Sequence, residues 1–227
     1  MKLTIPDFLI PSFRTNHAGE TGAVFIYKAI LMVSRDSEVI DFSKSHLKTE
    51  SEHLRMIEEI LEKKYRSKLI PLWKIAGFLT GFIPSLFGKN FIFATIYYVE
   101  SFVEKHYEQQ IKSLGSIKKY THIKKFIKKL QDDEVSHKNE ARFSAKKFST
   151  PQVLWGRIVN SGSSFAVKLS KKIYLFFSFK RSYSFWKTRF TDCTNKTFAT
   201  SSRTVFSSIK YYLEVKFIPV TFRKNPL

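Results

Sequence analysis

Apolar residues recur at helical spacing through most of this chain, and the breaks in that pattern mark out its helices. Residues 15–35 are apolar with few breakers and predict a first helix. Residues 37–63 alternate charges with aliphatics at the same period and predict a second. Pro71, with the Tyr–Arg–Ser stretch before it, marks a connection. Residues 73–88 carry one charge, Lys74, and residues 90–99 carry none. The uncharged run leads into an acidic helix from Glu100 that Gly115 ends, and a further charged helix runs from about Lys118 to just before Pro151. After about residue 172 Phe, Ser, Thr and Lys dominate, and neither a helical nor a strand period persists. The pattern predicts an all-α chain: one helical domain over 1–172, and over 173–227 a basic, aromatic and Ser/Thr-rich extension.

The apolar run at 73–88 is too short to span a bilayer, which needs about 20 apolar residues, and Pro84, Gly88 and Lys89 interrupt it. Two readings stand. It is a buried core helix, or it lies in the headgroup region of a membrane, with Trp73, Phe78, Phe82, Ile83, Leu86 and Phe87 inward and Lys74 and Lys89 at the edges.

Charge sharpens the division of the chain. The net charge is +20, and residues 141–227 hold 17 Lys/Arg against only Asp192 and Glu214. A basic surface attracts nucleic acid and anionic lipid about equally, so charge does not choose between them. The extension reads either as a membrane-adhering tail or as an addition without functional weight. The single cysteine, Cys193, excludes an internal disulfide framework and any thiolate-based zinc site. The opening MKLTIPDFLI, with the first motif starting by Arg14, predicts no cleaved targeting segment and a cytoplasmic or already processed chain.

The chemistry lies in a repeated spacing. Glu-x-x-His occurs twice, at Glu50/His53 and Glu134/His137, where 13 Glu and 6 His in 227 residues would give about 0.3 such pairs by chance. Positions i and i+3 share a helical face, so each pair can present a carboxylate and an imidazole to one metal. Each pair follows a lone glutamate in apolar surroundings: Glu20 lies 30 residues before Glu50, and Glu100 lies 34 before Glu134. A glutamate in an apolar helix is costly unless paired or metal-bound. Antiparallel packing would converge the six residues in the core of a four-helix bundle, the arrangement of ferritin-like di-iron and di-manganese proteins. Four carboxylates and two imidazoles without thiolate suit iron over zinc, and manganese also fits. Tyr107, seven residues after Glu100, falls on the same face, and His106 and His17 could orient carboxylate ligands. Glu52, Glu58, Glu59, Glu62, Asp132 and Asp133 read as solvated.

These residues resemble the demethoxyubiquinone hydroxylase family of ubiquinone biosynthesis. The resemblance rests on Arg14–Thr–Asn–His–Ala–Gly–Glu20–Thr–Gly–Ala23, on Glu50–Ser–Glu–His53–Leu54, on Pro71–Leu–Trp73 with Gly77–Phe78 and Gly81, on Gly88–Lys89, on Val99–Glu100 and His106–Tyr107, and on Asp133–Glu134–Val–Ser–His137. It implies a ferritin-like four-helix bundle with membrane-interfacial helical segments, and an O2-dependent monooxygenase that hydroxylates the ring of a polyprenylated demethoxy-quinol. One iron would take Glu20, Glu50 and His53, the other Glu100, Glu134 and His137, with Glu50 and Glu134 bridging. His106 and Tyr107 match a second-sphere pair. The membrane partner would be the cytoplasmic side of a bacterial inner membrane or the matrix side of the mitochondrial one, with other ubiquinone-biosynthesis proteins as possible partners and no nucleic acid. The alternative within the same fold is iron storage, or a hydroxylase of tRNA or another substrate. The last 55 residues depart from the family, but every candidate ligand precedes them.

Overall fold

The computed structural model describes residues 3–145 and 147–193. They form six α-helices, α1 (Ile10–Val33), α2 (Ser37–Ile60), α3 (Ile70–Ser85), α4 (Lys89–Ser113), α5 (Thr121–Ser144) and α6 (Thr150–Cys193), with three short 3₁₀ turns and no strand among the described residues. Local chemistry sets the ends. Pro11, Pro71 and Pro151 stand in the first turns of α1, α3 and α6, where a missing N–H costs nothing. Asp36 caps α2 by accepting from the Val39 amide at 3.2 Å. Gly88 (φ 88°) precedes α4 and Gly115 (φ 55°) follows it, both in the left-handed region that glycine adopts freely.

The chain divides into a compact unit ending at Phe177 and a second beginning at Ser178. In the first, α1 with α2 and α4 with α5 make the two helical pairs of the bundle, and α3 lies along α1. The α1–α3 contact is unusually close. A Cβ on Gly77 would sit 2.2 Å from the Gly22 carbonyl oxygen, and one on Gly81 would sit 2.2 Å from that of Ile26. Both numbers rise together, so α1 and α3 run parallel. At Gly156 of α6 a Cβ would strike the Tyr98 ring at 2.2 Å, which seats that helix on α4.

Two apolar layers form the core. One gathers Leu9, Phe13, Ile57, Leu61, Ile123 and Ile127; the other gathers Ile26, Ile30, Val39, Phe42, Phe93 and Ile96. Between them α1 buries a run of polar side chains, including Thr15, Asn16, His17 and Glu20.

The elements follow the sequence pattern with local differences. α1 starts at Ile10, and the uncharged run 90–99 and the acidic stretch after it form the single helix α4. α6 stays helical to Cys193, beyond the residue where periodicity fades; the remainder of the predicted extension, 194–227, lies outside the described residues, as do the side chains of 172–193. α3 is neither wholly buried nor wholly exposed. Trp73, Gly77 and Gly81 face the bundle, while Leu72, Ile75, Leu79, Leu86 and Phe87 are exposed. Among the described residues, no helix is long and apolar enough to cross a membrane.

Candidate metal centre

Each bundle helix sends its acidic or imidazole side chain into the gap between the apolar layers. α1 supplies Glu20, α2 supplies Glu50 and His53, α4 supplies Glu100, and α5 supplies Glu134 and His137. All six are buried, none more than 5 % exposed. They fall into two overlapping groups, Glu20/Glu50/His53/Glu134 and Glu50/Glu100/Glu134/His137, each with one candidate ligand atom per residue within 4.8 Å of the others. Glu50 and Glu134 belong to both groups. That is the position a bridging carboxylate would take.

The contacts inside the cluster are short but poorly shaped for hydrogen bonds. His53 Nδ1 lies 3.2 Å from Glu134, 3.7 Å from Glu20 and 3.9 Å from Glu50. His137 Nδ1 lies 3.0 Å from Glu50 and 3.6 Å from Glu134. Yet His53 Nδ1, His137 Nδ1, Glu50 Oε1 and both Glu134 oxygens are buried without a hydrogen-bond partner. Buried polar atoms left unpaired are destabilising, and cations held between them would satisfy them. Four carboxylates against two imidazoles also leave an excess of negative charge that two divalent cations would neutralise. The donor set, rich in oxygen and free of thiolate, fits iron or manganese.

Electrostatics tell the same story from the protein side. Burial, followed by the neighbouring Glu134 charge, holds Glu50 and Glu100 well above the usual carboxylate range. Burial would raise Glu134 too, but the imidazoles of His137 and His53 beside it override that and bring its carboxyl to about 2. Burial would lower His53, but Glu134 and Glu20 push it up to about 12. Glu50, Glu100 and His53 hold their protons tightly, and a metal would have to displace them.

A second set of side chains orients the first. Tyr107 donates its hydroxyl to Glu20 Oε1 in a short bond. Tyr27 donates to Glu100 Oε1 at 3.1 Å. Asp133 Oδ2 accepts a hydrogen bond from His53 Nε2 at 3.0 Å, which turns Nδ1 toward the cluster as the atom that would meet a metal. His106 does not reach a carboxylate: its Nε2 lies 2.9 Å from Thr15 Oγ1, and because Thr15 donates to the Ser12 carbonyl at 2.6 Å, His106 must be the donor to Thr15. His17 meets Glu58 at 3.0 Å instead of a cluster carboxylate.

Two residues read as solvated are thus engaged. Asp133 and Glu58, each 39 % exposed at the side chain, are bonded to buried imidazoles. Glu52 and Glu59 do sit on the surface, in ion pairs with Arg55. The sequence reading passed over Tyr27, His46 and Glu140. His46 stacks on His137 with ring centres 4.0 Å apart and bonds Glu140 at 2.9 Å. The signal was a seven-residue step: His46 precedes His53 by seven on α2, and Asp133 precedes Glu140 by seven on α5.

Beside the cluster lies a cavity of about 420 Å³ between α1, α3, α4 and α6. Glu20, Glu50, Glu100 and Glu134 form its floor, and Trp73, Ala76, Phe102, Val103, Trp155 and Ile158 are among its apolar walls.

Fold and site together define a ferritin-like helical bundle carrying a buried carboxylate–histidine cluster able to bind metal. Comparison with known proteins narrows that class. Residues 8–170 match the family described as Ubiquinone biosynthesis protein COQ7, and the chain belongs to it. The chain is 30 % identical over 163 residues to the mouse (Mus musculus) NADPH-dependent 3-demethoxyubiquinone 3-hydroxylase, mitochondrial, covering 70 % of this chain and 75 % of that protein. It is 28 % identical over 163 residues to the Dictyostelium discoideum protein of the same name, with the same coverage. To the 3-demethoxyubiquinol 3-hydroxylase of Rhodospirillum rubrum it is 27 % identical over 172 residues, covering 74 % of this chain and 80 % of that protein.

Proposed function

We propose that this protein is a di-iron monooxygenase that hydroxylates the ring of a polyprenylated demethoxy-quinol, 3-demethoxyubiquinol, in ubiquinone biosynthesis, using O2. Glu20, Glu50, His53, Glu100, Glu134 and His137 would hold the iron, Glu50 and Glu134 belonging to both groups of candidate ligands. Membership of the family and the names of the relatives support the reaction class. The observation that carries it to this chain is the apolar cavity whose floor is four of the six ligands. Iron storage has no use for such an apolar chamber, and a tRNA substrate would need a cationic one.

When bound, the metal pair supplies the redox chemistry of oxygen activation. The chain's own residues do the rest. The walls formed by Trp73, Phe102 and Trp155 exclude water and hold a planar ring against the floor. Tyr107 and Tyr27 keep Glu20 and Glu100 in place. Thr15 fixes the His106 ring so that its Nε2 proton is committed and Nδ1 remains an acceptor, suited to a substrate hydroxyl entering the cavity that His106 lines. A long isoprenoid chain leaves along the exposed apolar edges of α3 and α6, where Leu72, Ile75, Leu79, Ile158 and Phe165 stand open. Those edges favour peripheral attachment to an inner membrane, bacterial or mitochondrial. The NADPH dependence of the mouse and Dictyostelium relatives named above makes a reduced nicotinamide the electron source to test.

The deciding experiment is complementation of a strain lacking the quinol hydroxylase, reading accumulated demethoxyquinone against ubiquinone. The wild-type chain restores ubiquinone and Glu134→Ala does not. A wild-type chain that folds and binds iron but leaves demethoxyquinone unconsumed would overturn the substrate assignment.

A further inference from the structure

All six cluster residues are buried, which raises the question of how cations reach them. The cavity offers one opening, but its lining is mostly carbon. A hydrated dication gains nothing there and loses much of its solvation.

The opposite side of the cluster is different. Along the seam between α2 and α5, two carboxylates on α5 reach across to two imidazoles on α2: Asp133 to His53 at 3.0 Å and Glu140 to His46 at 2.9 Å. The pairs step by seven residues in opposite directions, as antiparallel helices require, so both lie on one seam one above the other. Asp133 and Glu140 are 39 % and 51 % exposed at the side chain, whereas His53 and His46 are 1 % and 3 % exposed. Each pair therefore spans from solvent to the interior. Behind them lie the orphaned atoms of the cluster: His53 Nδ1 belongs to it, and His46 covers His137 face to face at 4.0 Å.

Charge distinguishes these two carboxylates from their neighbours. Glu52 and Glu59 share an ion pair with Arg55, and Asp132 pairs with Lys128. Among the described residues, Asp133 and Glu140 pair with no lysine or arginine, only with histidine. Glu140, the more exposed of the two, is the carboxylate that an incoming cation meets first.

We propose that the polar seam between α2 and α5 is the route by which divalent cations reach the buried cluster, with Glu140 and Asp133 as its outer carboxylates and His46 as the side chain that swings to admit them. The cluster thus has two faces, an apolar one for the organic substrate and a polar one for metal. Glu140 captures the ion at the surface, and release of the Glu140–His46 bond and of the longer Tyr27 contact at 3.4 Å lets the imidazole leave its stack on His137 and open a path to Glu50 and His137. Asp133 contributes charge but stays bonded to His53. The inference rests on the cluster being a metal centre.

The test is the rate of Co²⁺ uptake by the full-length metal-free protein, followed by the ion's visible absorption, with final occupancy measured separately. Glu140→Lys places a cation at the outer position and slows uptake at least tenfold while final occupancy is unchanged, because Glu140 touches no ligand oxygen. Ala76→Trp, which obstructs the apolar cavity, leaves the uptake rate as it is. Carboxylate-lined approaches raise association rates by about 10- to 1,000-fold, and salt weakens them. Wild-type uptake therefore slows as ionic strength rises, and Glu140→Gln flattens that dependence without introducing a bulky side chain. Equal rates for wild type and Glu140→Lys, or slowing by Ala76→Trp alone, would overturn the route. Failure of the wild-type chain to take up any cation would instead remove the metal centre itself, and the route with it.

Discussion

Replacing Gly77 with alanine tests the packing that places the α3 wall of the cavity. The added Cβ would lie 2.2 Å from the Gly22 carbonyl oxygen and 2.8 Å from two further backbone atoms. Unbonded heavy atoms sit comfortably at about 3.5 Å, so α1 and α3 must part by roughly 1 Å. Neither side can yield by rotating a side chain, since the obstacle is backbone. Overpacking of this kind costs about 1–3 kcal/mol, against which alanine's helix preference returns about 1 kcal/mol. Gly19→Ala supplies the internal comparison: Gly19 is also helical, but nothing lies within 4 Å of its Cβ position, so the same exchange should stabilise by roughly 0.5–1 kcal/mol. Between the two variants the predicted gap is about 1–3 kcal/mol. For a domain of this size each kcal/mol moves Tm by about 2–4 °C, so Gly77→Ala should melt several degrees below Gly19→Ala. Thermal unfolding by circular dichroism reads this directly. Equal melting temperatures would refute the close α1–α3 contact, and with it the position of Trp73 and Ala76 over the cluster.

Other perturbations follow from the same geometry. Stripping metal from the protein should lower Tm, and restoring ferrous ion at 1,000 times its dissociation constant should recover about 4 kcal/mol, or roughly 10 °C; no recovery in differential scanning calorimetry would argue against a metal centre. Tyr107→Phe keeps the ring but removes the donor to Glu20, so metal affinity should fall about 10- to 100-fold, measured by competition with a chromogenic chelator. Burial, then the Lys171 charge, lowers His106 from 6.5 to about 4. Its folded value lies below its unfolded one, so the unfolded chain binds the extra proton between those pH values. The stability tied to keeping it neutral is whole above pH 6.5 and is lost as pH falls toward 4, by about 3 kcal/mol at most, and urea titrations of His106→Asn should flatten that part of the acid slope. Truncation after Phe177, where the first compact unit ends, should leave metal stoichiometry unchanged in elemental analysis, since all six ligands precede it.

How much of this was legible before the structure depends on whether a feature lives within one helix or between two. The Glu-x-x-His pairs are intrahelical: Glu50 with His53, and Glu134 with His137, share a face because 3.6 residues make a turn, and the sequence alone places them. Glu20 and Glu100 stood out because a carboxylate in an apolar helix demands a partner. Asp133 and Glu58 were misread for the opposite reason. A charged residue on a charged helix looks solvated, and nothing local says that a buried imidazole from another helix ends beside it. His46 and Glu140 lie still further from local inference, because each is unremarkable on its own helix and their pairing depends on the register of α2 against α5. That register can nonetheless be recovered from the cluster. Once Glu50 of α2 must meet His137 of α5 at 3.0 Å, antiparallel packing carries every other cross-seam pair with it. Stepping from His137 toward the C-terminus of α5 means stepping from Glu50 toward the N-terminus of α2, which brings Glu140 to His46; the reverse step brings Asp133 to His53. The carboxylate–histidine cluster is therefore also the ruler that aligns the two helices, and the carboxylates proposed to admit cations are the ones that alignment leaves at the surface.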